Sequence, residues 1–259
     1  MAIITLTSDL GANSHYPAIV KGIMLSRCPG ATLVDVTHSI PSYDLMQAAY
    51  VVKQLFRAYP TGTVHMVGVD PDQELHAAVA MAYDGHYFVG PDNGVLSLIA
   101  EGKVKQGQRI EADAFCLLEH PRSFRAGRLF APAAAFLASG GPIEDLGPAA
   151  PLRDLRWGEP SFNGRCLRGK IIYIDKFGNA VTNIRRENFL RLKHDRRFEI
   201  FIRSVRLHRI VNTYSNVAKA DALAIFGQGD HLEIAMREAS AAELLGLKVH
   251  DMITIEFSG

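Results

Sequence analysis

The sequence predicts an α/β protein in two parts: an N-terminal α/β domain with a largely parallel central sheet over residues 1–155, and a C-terminal antiparallel β-barrel-like domain over residues 156–259. Three observations carry this expectation. Short apolar runs alternate with amphipathic stretches in the first half, a Pro- and Gly-bearing stretch without periodicity follows, and strand-like runs then succeed one another.

In chain order, the first half reads as strand "AIITLTS", helix "HYPAIVKGIMLSRCP", strand "ATLVDVTH", helix "YDLMQAAYVVKQLFRAYP", strand "GTVHMVGVD" and the strand-rich "AAVAMAYDGHYFVGP". Within "LMQAAYVVKQLF" the residues Leu45, Ala48, Ala49, Val52, Leu55 and Phe56 recur at helical spacing, which makes them a core face. The helix "RLFAPAAAFLAS" closes this half. Gly147 to Gly164 holds Pro148, Pro151, Gly158, Pro160 and the sole tryptophan, Trp157, and reads as a linker. Beyond it come "KIIYID", "RFEIFI", "VRLHRIV", "ALAIFG", "HLEIAM" and "MITIEF", interrupted by one helix, "SAAELLGL", as in a small barrel or sandwich.

A chain of 259 residues can bury a sizeable core, and 48% apolar with 21% charged residues is ordinary for a globular protein. The formal net charge of +1 argues against a nucleic-acid partner. The basic run "RRENFLRLKHDRR", Arg185 to Arg197, is interrupted by acidic residues and reads as a solvated face. Cys28, Cys116 and Cys166 are far apart and odd in number, which suggests reduced thiols and a cytoplasmic protein. The start "MAIITLTSDL" lacks a signal-peptide pattern, and no run approaches the ~18 apolar residues of a membrane span.

Acidic or amide residues end several strands inside Gly or Pro turns: Asp9 in "TSDLG", Asp35 and His38 in "VDVTH", Asp70 in "VDPD", and Asp92 and Asn93 in "GPDNG". In an open α/β sheet ligands bind beyond the carboxyl ends of strands, so these ends suggest a pocket for a ligand rich in hydroxyl or amino donors. Asp and Asn also favour turns by bonding local backbone, and the residues alone leave both readings open. Dinucleotide, P-loop, esterase-elbow and zincin signatures are absent, and the histidines lack ligand spacing, so no metal is expected.

The stretch "IDKFGNAVTNI" sets small polar groups where a buried strand would otherwise run. Together with "TSDLG", "VDVTH", "GTVHMVGVDP", "YFVGPDNGVLS", "FAPAAA", "NTYSNV" and "LEIA", it resembles the S-adenosyl-L-methionine hydroxide adenosyltransferase family, related to fluorinase and chlorinase. The likeness runs from residue 4 to the C-terminus. It implies a homotrimer with sites at subunit interfaces, no cofactor, and hydrolysis of S-adenosylmethionine to adenosine and L-methionine. By analogy, Asp175 takes the methionine ammonium, Asn179 reads the adenine edge, and Phe177 and Tyr214 flank the purine, a stacking contact of ~1 to 3 kcal/mol per base elsewhere. Gly178 then lets the backbone approach closely. Asp9 matches the carboxylate that takes the ribose diol, Tyr43 falls beside the sugar, and Phe124 and Gln228 join the substrate-binding set.

The reaction implied is displacement at the ribose 5′-carbon, with a sulfonium leaving group already activated. The enzyme must then align water and make it behave like hydroxide. The family uses an Asp, Arg and His set. Here Asp70 matches, but "DPDQELHAAVA" is short and places His76 where the arginine stands, while "FRAGR" places Arg125 where the histidine stands. All three residue types persist with two positions exchanged, so the expected catalytic set is Asp70, His76 and Arg125. The shortened loop lacks small residues that would cradle a halide. A nucleoside hydrolase of other chemistry, and a protein that binds adenosine or S-adenosylmethionine without turnover, remain alternatives.

Overall fold

The computed structural model describes residues 2–70, 76–111 and 123–258. The chain forms two compact units, Met1–Arg156 and Trp157–Gly259.

In the first unit, β1 (Ile3–Ser8), β2 (Thr32–Thr37), β3 (Val64–Gly68) and β5 (His86–Pro91) run parallel in the order β2-β1-β3-β5. β1 and β3 are buried along their whole length, as central strands of a sheet covered on both faces must be. β4 (Ala78–Tyr83), β6 (Gln106–Arg109) and β7 (Ala149–Pro151) extend the sheet in antiparallel fashion. Among the described residues the α-helices of this unit are α1 (Tyr16–Arg27), α2 (Leu45–Leu55), α3 (Val95–Ile99) and α4 (Ala131–Ala138). Val20, Ile23 and Met24 of α1 join Ala133, Ala134 and Leu137 of α4 in one core with Ile4, Leu6, Val64 and Met66 of the strands. At the start of α2 the Asp44 side chain accepts the amide of Gln47 at 2.9 Å, a cap for an otherwise unpaired donor.

Polar groups are also sealed inside this sheet. His65 is fully buried: its Nδ1 meets Thr5 Oγ1 at 2.7 Å and its Nε2 meets His86 Nδ1 at 3.2 Å, while its ring stacks on Phe88. Burial, and then the neighbouring His86, push the His65 pKa down to about 3, so both rings are held neutral near pH 7.

The second unit is a nine-stranded, nearly closed sheet built from β8 (Ser161–Phe162), β9 (Cys166–Ile174), β10 (Ala180–Arg185), β11 (Arg197–Ile202), β12 (Val205–Leu207), β13 (Ile210–Val211), β14 (Ala222–Phe226), β15 (His231–Met236) and β16 (Met252–Ser258). Every pairing is antiparallel except β13 with β14. Leu167, Ile171, Ile184, Ile200, Leu232, Ile234, Ile253 and Ile255 fill its interior.

Three sequence expectations need correction. The stretch Gly147–Gly164 is not only a linker: β7 pairs with β6 and β8 pairs with β9 inside it, because prolines at sheet edges leave no ladder donor missing. "VRLHRIV" is two short strands with different neighbours, β12 on β11 and β13 on β14. The charged run contains α5 (Arg186–Lys193), a second helix of this unit beside α6 (Ala241–Leu244). Its one fully buried residue, Phe189, packs edge-on against Phe198 and meets Phe257, and Leu192, three residues on, packs partly buried against the same core, so a narrow apolar edge anchors an otherwise charged helix. Cys28 is a buried free thiol and Cys166 a partly buried one, and Cys116 lies outside the described residues.

Candidate active site

The site residues of the first unit gather beyond the carboxyl ends of β1, β2 and β3. Asp9 follows β1, and its Oδ2 accepts the backbone amides of Tyr43 and Asp70, each at 3.1 Å. Tyr43 (φ 68°) and Asp70 (φ 51°) both adopt the left-handed conformation, which costs a non-glycine residue energy and persists only where surroundings impose it. The Asp9 carboxylate supplies that constraint through Oδ2, and among the described residues no hydrogen bond to Oδ1 is seen. The Tyr43 side chain is 71% exposed, so this aromatic is not part of the core.

The other strand ends are occupied by the chain itself. Asp92 accepts the amide of Arg153 at 2.8 Å; the buried Asn93 donates to Val69 O at 3.0 Å and accepts from Val95 N at 3.1 Å. Asn93 bonds local backbone as turn residues do, whereas Asp92 ties its turn to a segment 61 residues away. Asn93 nonetheless fixes the residue before Asp70. Asp35 bonds Lys21 and His38; burial raises its carboxyl, but those two bonds outweigh burial and hold it below its ordinary value.

Positions 76 and 125 are adjacent: Arg125 Nη1 donates to the backbone oxygen of His76. The Arg125 guanidinium also lies over the Phe130 ring, 5.8 Å from its centroid. Phe124 is buried in the core cluster of this unit, with its ring 5.2 Å from that of Tyr16. Pro71 to Leu75, the shortened run, lies outside the described residues.

The second unit holds the other group at the β9–β10 turn. Asp175 Oδ1 accepts the amides of Phe177 and Asn179, both at 2.9 Å, and Asp175 Oδ2 accepts Asn179 Nδ2 at 2.9 Å. Gly178 N returns to Asp175 O at 3.0 Å. Gly178 has φ 81°, and a Cβ there would lie 2.1 Å from Ser240 Oγ, so the close approach that it permits is to the chain itself. Asp175, Phe177, Asn179, Tyr214, Met236, Glu238 and Ala239 line a half-open cavity of about 610 Å³. Phe177 is 76% exposed and Tyr214 41%, open aromatic faces above a turn whose polar groups are ordered. Asn179 Nδ2 points to both Asp175 Oδ2 and, at 3.4 Å, the Tyr214 hydroxyl. Both amide hydrogens are thereby engaged and Oδ1 is what a ligand can use, which narrows the donor-and-acceptor role expected for Asn179. Gln228 sits exposed in the turn between β14 and β15.

One residue of this group was not foreseen. Glu233, in the middle of β15, pairs across the ladders with Val181 and Ile225, and its carboxylate fills the space a side chain at Gly227 would need. Burial, and then the charge of Asp175, push its pKa up to about 7. Burial, then Glu233 and Asp175, likewise raise the Tyr214 hydroxyl. A carboxyl at the centre of the otherwise apolar "HLEIAM", beside a glycine turn, was the available signal. Among the described residues no group of three or more His, Cys, Asp and Glu side chains is arranged to hold a metal ion.

In each unit, then, a carboxylate orders two backbone amides beside an exposed aromatic ring. The SAM hydroxide adenosyltransferase N-terminal domain matches residues 4–147 and its C-terminal domain matches residues 169–254. The chain belongs to the SAM hydroxide adenosyltransferase family. Over 96% of its length it is 33% identical to (R)-S-adenosyl-L-methionine hydrolase of Thermus thermophilus, covering 97% of that protein. Over 71% of its length it is 29% identical to a fluorinase of an Actinoplanes species, covering 72% of it. A crystal structure of a conserved protein from Thermotoga maritima superposes with TM-score 0.87 at 29% identity, covering 98% of this chain and 99% of that one.

Proposed function

We propose that the chain hydrolyses S-adenosyl-L-methionine to adenosine and L-methionine. The observation that carries this reading is the Asp175 turn, where an ordered carboxylate, the Asn179 amide and the exposed rings of Phe177 and Tyr214 line one cavity. Water attacks the ribose 5′-carbon, the C5′–S bond breaks with its electron pair going to sulfur, and one proton is released. No oxidant or reductant is needed. In this reading the purine stacks between Phe177 and Tyr214, Asp175 takes the ammonium, and Asp9 Oδ1 takes the ribose diol beside Tyr43 and Phe124, with Gln228 at the methionine end. Asp70 orients the water, Arg125 supplies permanent positive charge, and His76 accepts the proton. The bond from Arg125 to the His76 backbone supports treating the two positions as one exchanged pair. No cofactor takes part, so a chelator should leave turnover intact.

We further propose a homotrimeric, cytoplasmic enzyme with its sites at subunit interfaces. No helix among the described residues is long and apolar enough to cross a membrane. Light scattering should return about three times the 28.4 kDa chain mass.

Pure protein incubated with S-adenosylmethionine, with and without chelator, should release adenosine and methionine in equal amounts. Arg125→Ala should lower the saturated rate by a factor on the order of 10² to 10³. The exchange His76→Arg with Arg125→His should retain more activity than either single change. Parental rates in all three variants would remove both residues from the chemistry, and binding without product release would leave a nucleoside-binding protein.

A further inference from the structure

Beside Asp9 lies a chain of side chains that the reaction does not use. Ser8 is 1% exposed, and its Oγ accepts the Leu10 amide at 3.3 Å and meets His38 Nδ1 at 2.7 Å. His38 Nε2 meets Asp35 Oδ1 at 3.2 Å, and Lys21 Nζ donates to Asp35 Oδ2 at 2.8 Å. Proton accounting orders the chain: the Asp35 carboxylate can only accept, so Nε2 carries the ring proton and donates to it, and Nδ1 of a neutral ring is then the acceptor of the Ser8 hydroxyl hydrogen. The residue types are those of a serine hydrolase, but the hydroxyl is buried and already bonded. It is no nucleophile.

The same two loops are joined by backbone. Gly11 N donates to His38 O at 2.8 Å and Ile40 N donates to Ser8 O at 3.3 Å. Asp9 therefore sits in a turn fastened on both sides, by Ser8 before it and by Leu10 and Gly11 after it. This fastening lets one carboxylate oxygen reach Tyr43 and Asp70 together.

We propose that Ser8, His38 and Asp35 are positioning residues that fix the rotamer and backbone of Asp9, and so set the enzyme's discrimination for a ribose bearing its full diol. The inference rests on the reading of Asp9 as the diol acceptor. A positioned carboxylate accepts two hydroxyl donors, whereas a loosely held one gains little from the second because ordering it consumes the bond's free energy. The relay contributes selectivity between sugars, over and above fold stability.

Calorimetric titration of adenosine and 2′-deoxyadenosine into the full chain separates these effects. The parental protein should prefer adenosine. Ser8→Ala and His38→Leu should weaken adenosine about tenfold while changing 2′-deoxyadenosine by less than about threefold, so the preference collapses. His38→Asn, whose amide oxygen can take the place of Nδ1, should keep most of the preference. An undiminished preference in Ser8→Ala and His38→Leu would overturn the relay alone, as would equal losses for both nucleosides together with a lowered melting temperature, the signature of packing. A parental protein that binds neither nucleoside would instead overturn the underlying reading of the site.

Discussion

The turn at Asp9 and the turn at Asp175 use one device at two ranges. Each carboxylate accepts two backbone amides and leaves an aromatic ring exposed beside it. Asp175 reaches amides 2 and 4 residues away, within its own hairpin, whereas Asp9 reaches amides 34 and 61 residues away on two other loops. A local clamp shapes a binding surface, and its loss releases few residues. A long-range clamp assembles groups from separate strands, so its loss disorders the place where chemistry is proposed to occur.

The largest expected effect tests that difference. Asp9→Ala should lower kcat/KM for S-adenosylmethionine by a factor on the order of 10² to 10³, since it removes the proposed ligand contact and frees Asp70 from its left-handed conformation. Part of the loss should appear in kcat. Asp175→Ala and Asn179→Ala should each weaken binding by roughly 1 to 3 kcal/mol while saturated turnover changes much less. Equal losses of kcat at Asp9 and Asp175 in steady-state kinetics would break the comparison.

A second test concerns stability. The His65–His86 pair belongs only to the first unit, and His65 ionises at about 3 in the fold against an ordinary value near 6.5. A lowered histidine pKa means that the unfolded chain binds more protons, so the stabilisation is complete above about pH 6.5. It is lost as pH falls toward about 3, at about 1.4 kcal/mol per pH unit for this one ring. Hydrogen exchange at pH 7.5 and pH 5 should show β1, β3 and β5 losing protection on acidification while β10 and β15 change less. His65→Leu should flatten that response in the first unit.

The smallest effect sharpens the Asp175 side. Glu233, at about 7, is half ionised near neutrality. A cationic ligand beside Asp175 favours its charged form, so affinity for S-adenosylmethionine should rise several-fold from pH 6 to pH 8. Affinity for neutral adenosine should stay flat, and Glu233→Gln should abolish the difference. Calorimetry at the two pH values checks both.

What could be read from the sequence follows the same division. The Asp175 turn was legible because its donors and acceptor are contiguous, and the parallel core was legible because buried strands are uniformly apolar. The strand ends pointed Asp9 and Asp70 toward a pocket, but that one Asp9 oxygen takes the amides of both Tyr43 and Asp70 depends on loops meeting in space, which no local pattern encodes. The helix α5 was hidden because Phe189 and Leu192 make too short an apolar edge to stand out among its charges, and β7 and β8 hid among prolines that edge strands tolerate. Glu233 was passed over because alternation assigns a strand but does not say which polar position is partly buried beside another carboxylate.

The central claim is attack of water at the ribose 5′-carbon, and isotope incorporation tests it most directly. Protein and S-adenosylmethionine in ¹⁸O-enriched water, followed by mass spectrometry of the products, should give adenosine carrying one ¹⁸O at its 5′-oxygen and unlabelled methionine in equal amount. Release of adenine, label in another product, or intact S-adenosylmethionine after prolonged incubation would contradict it.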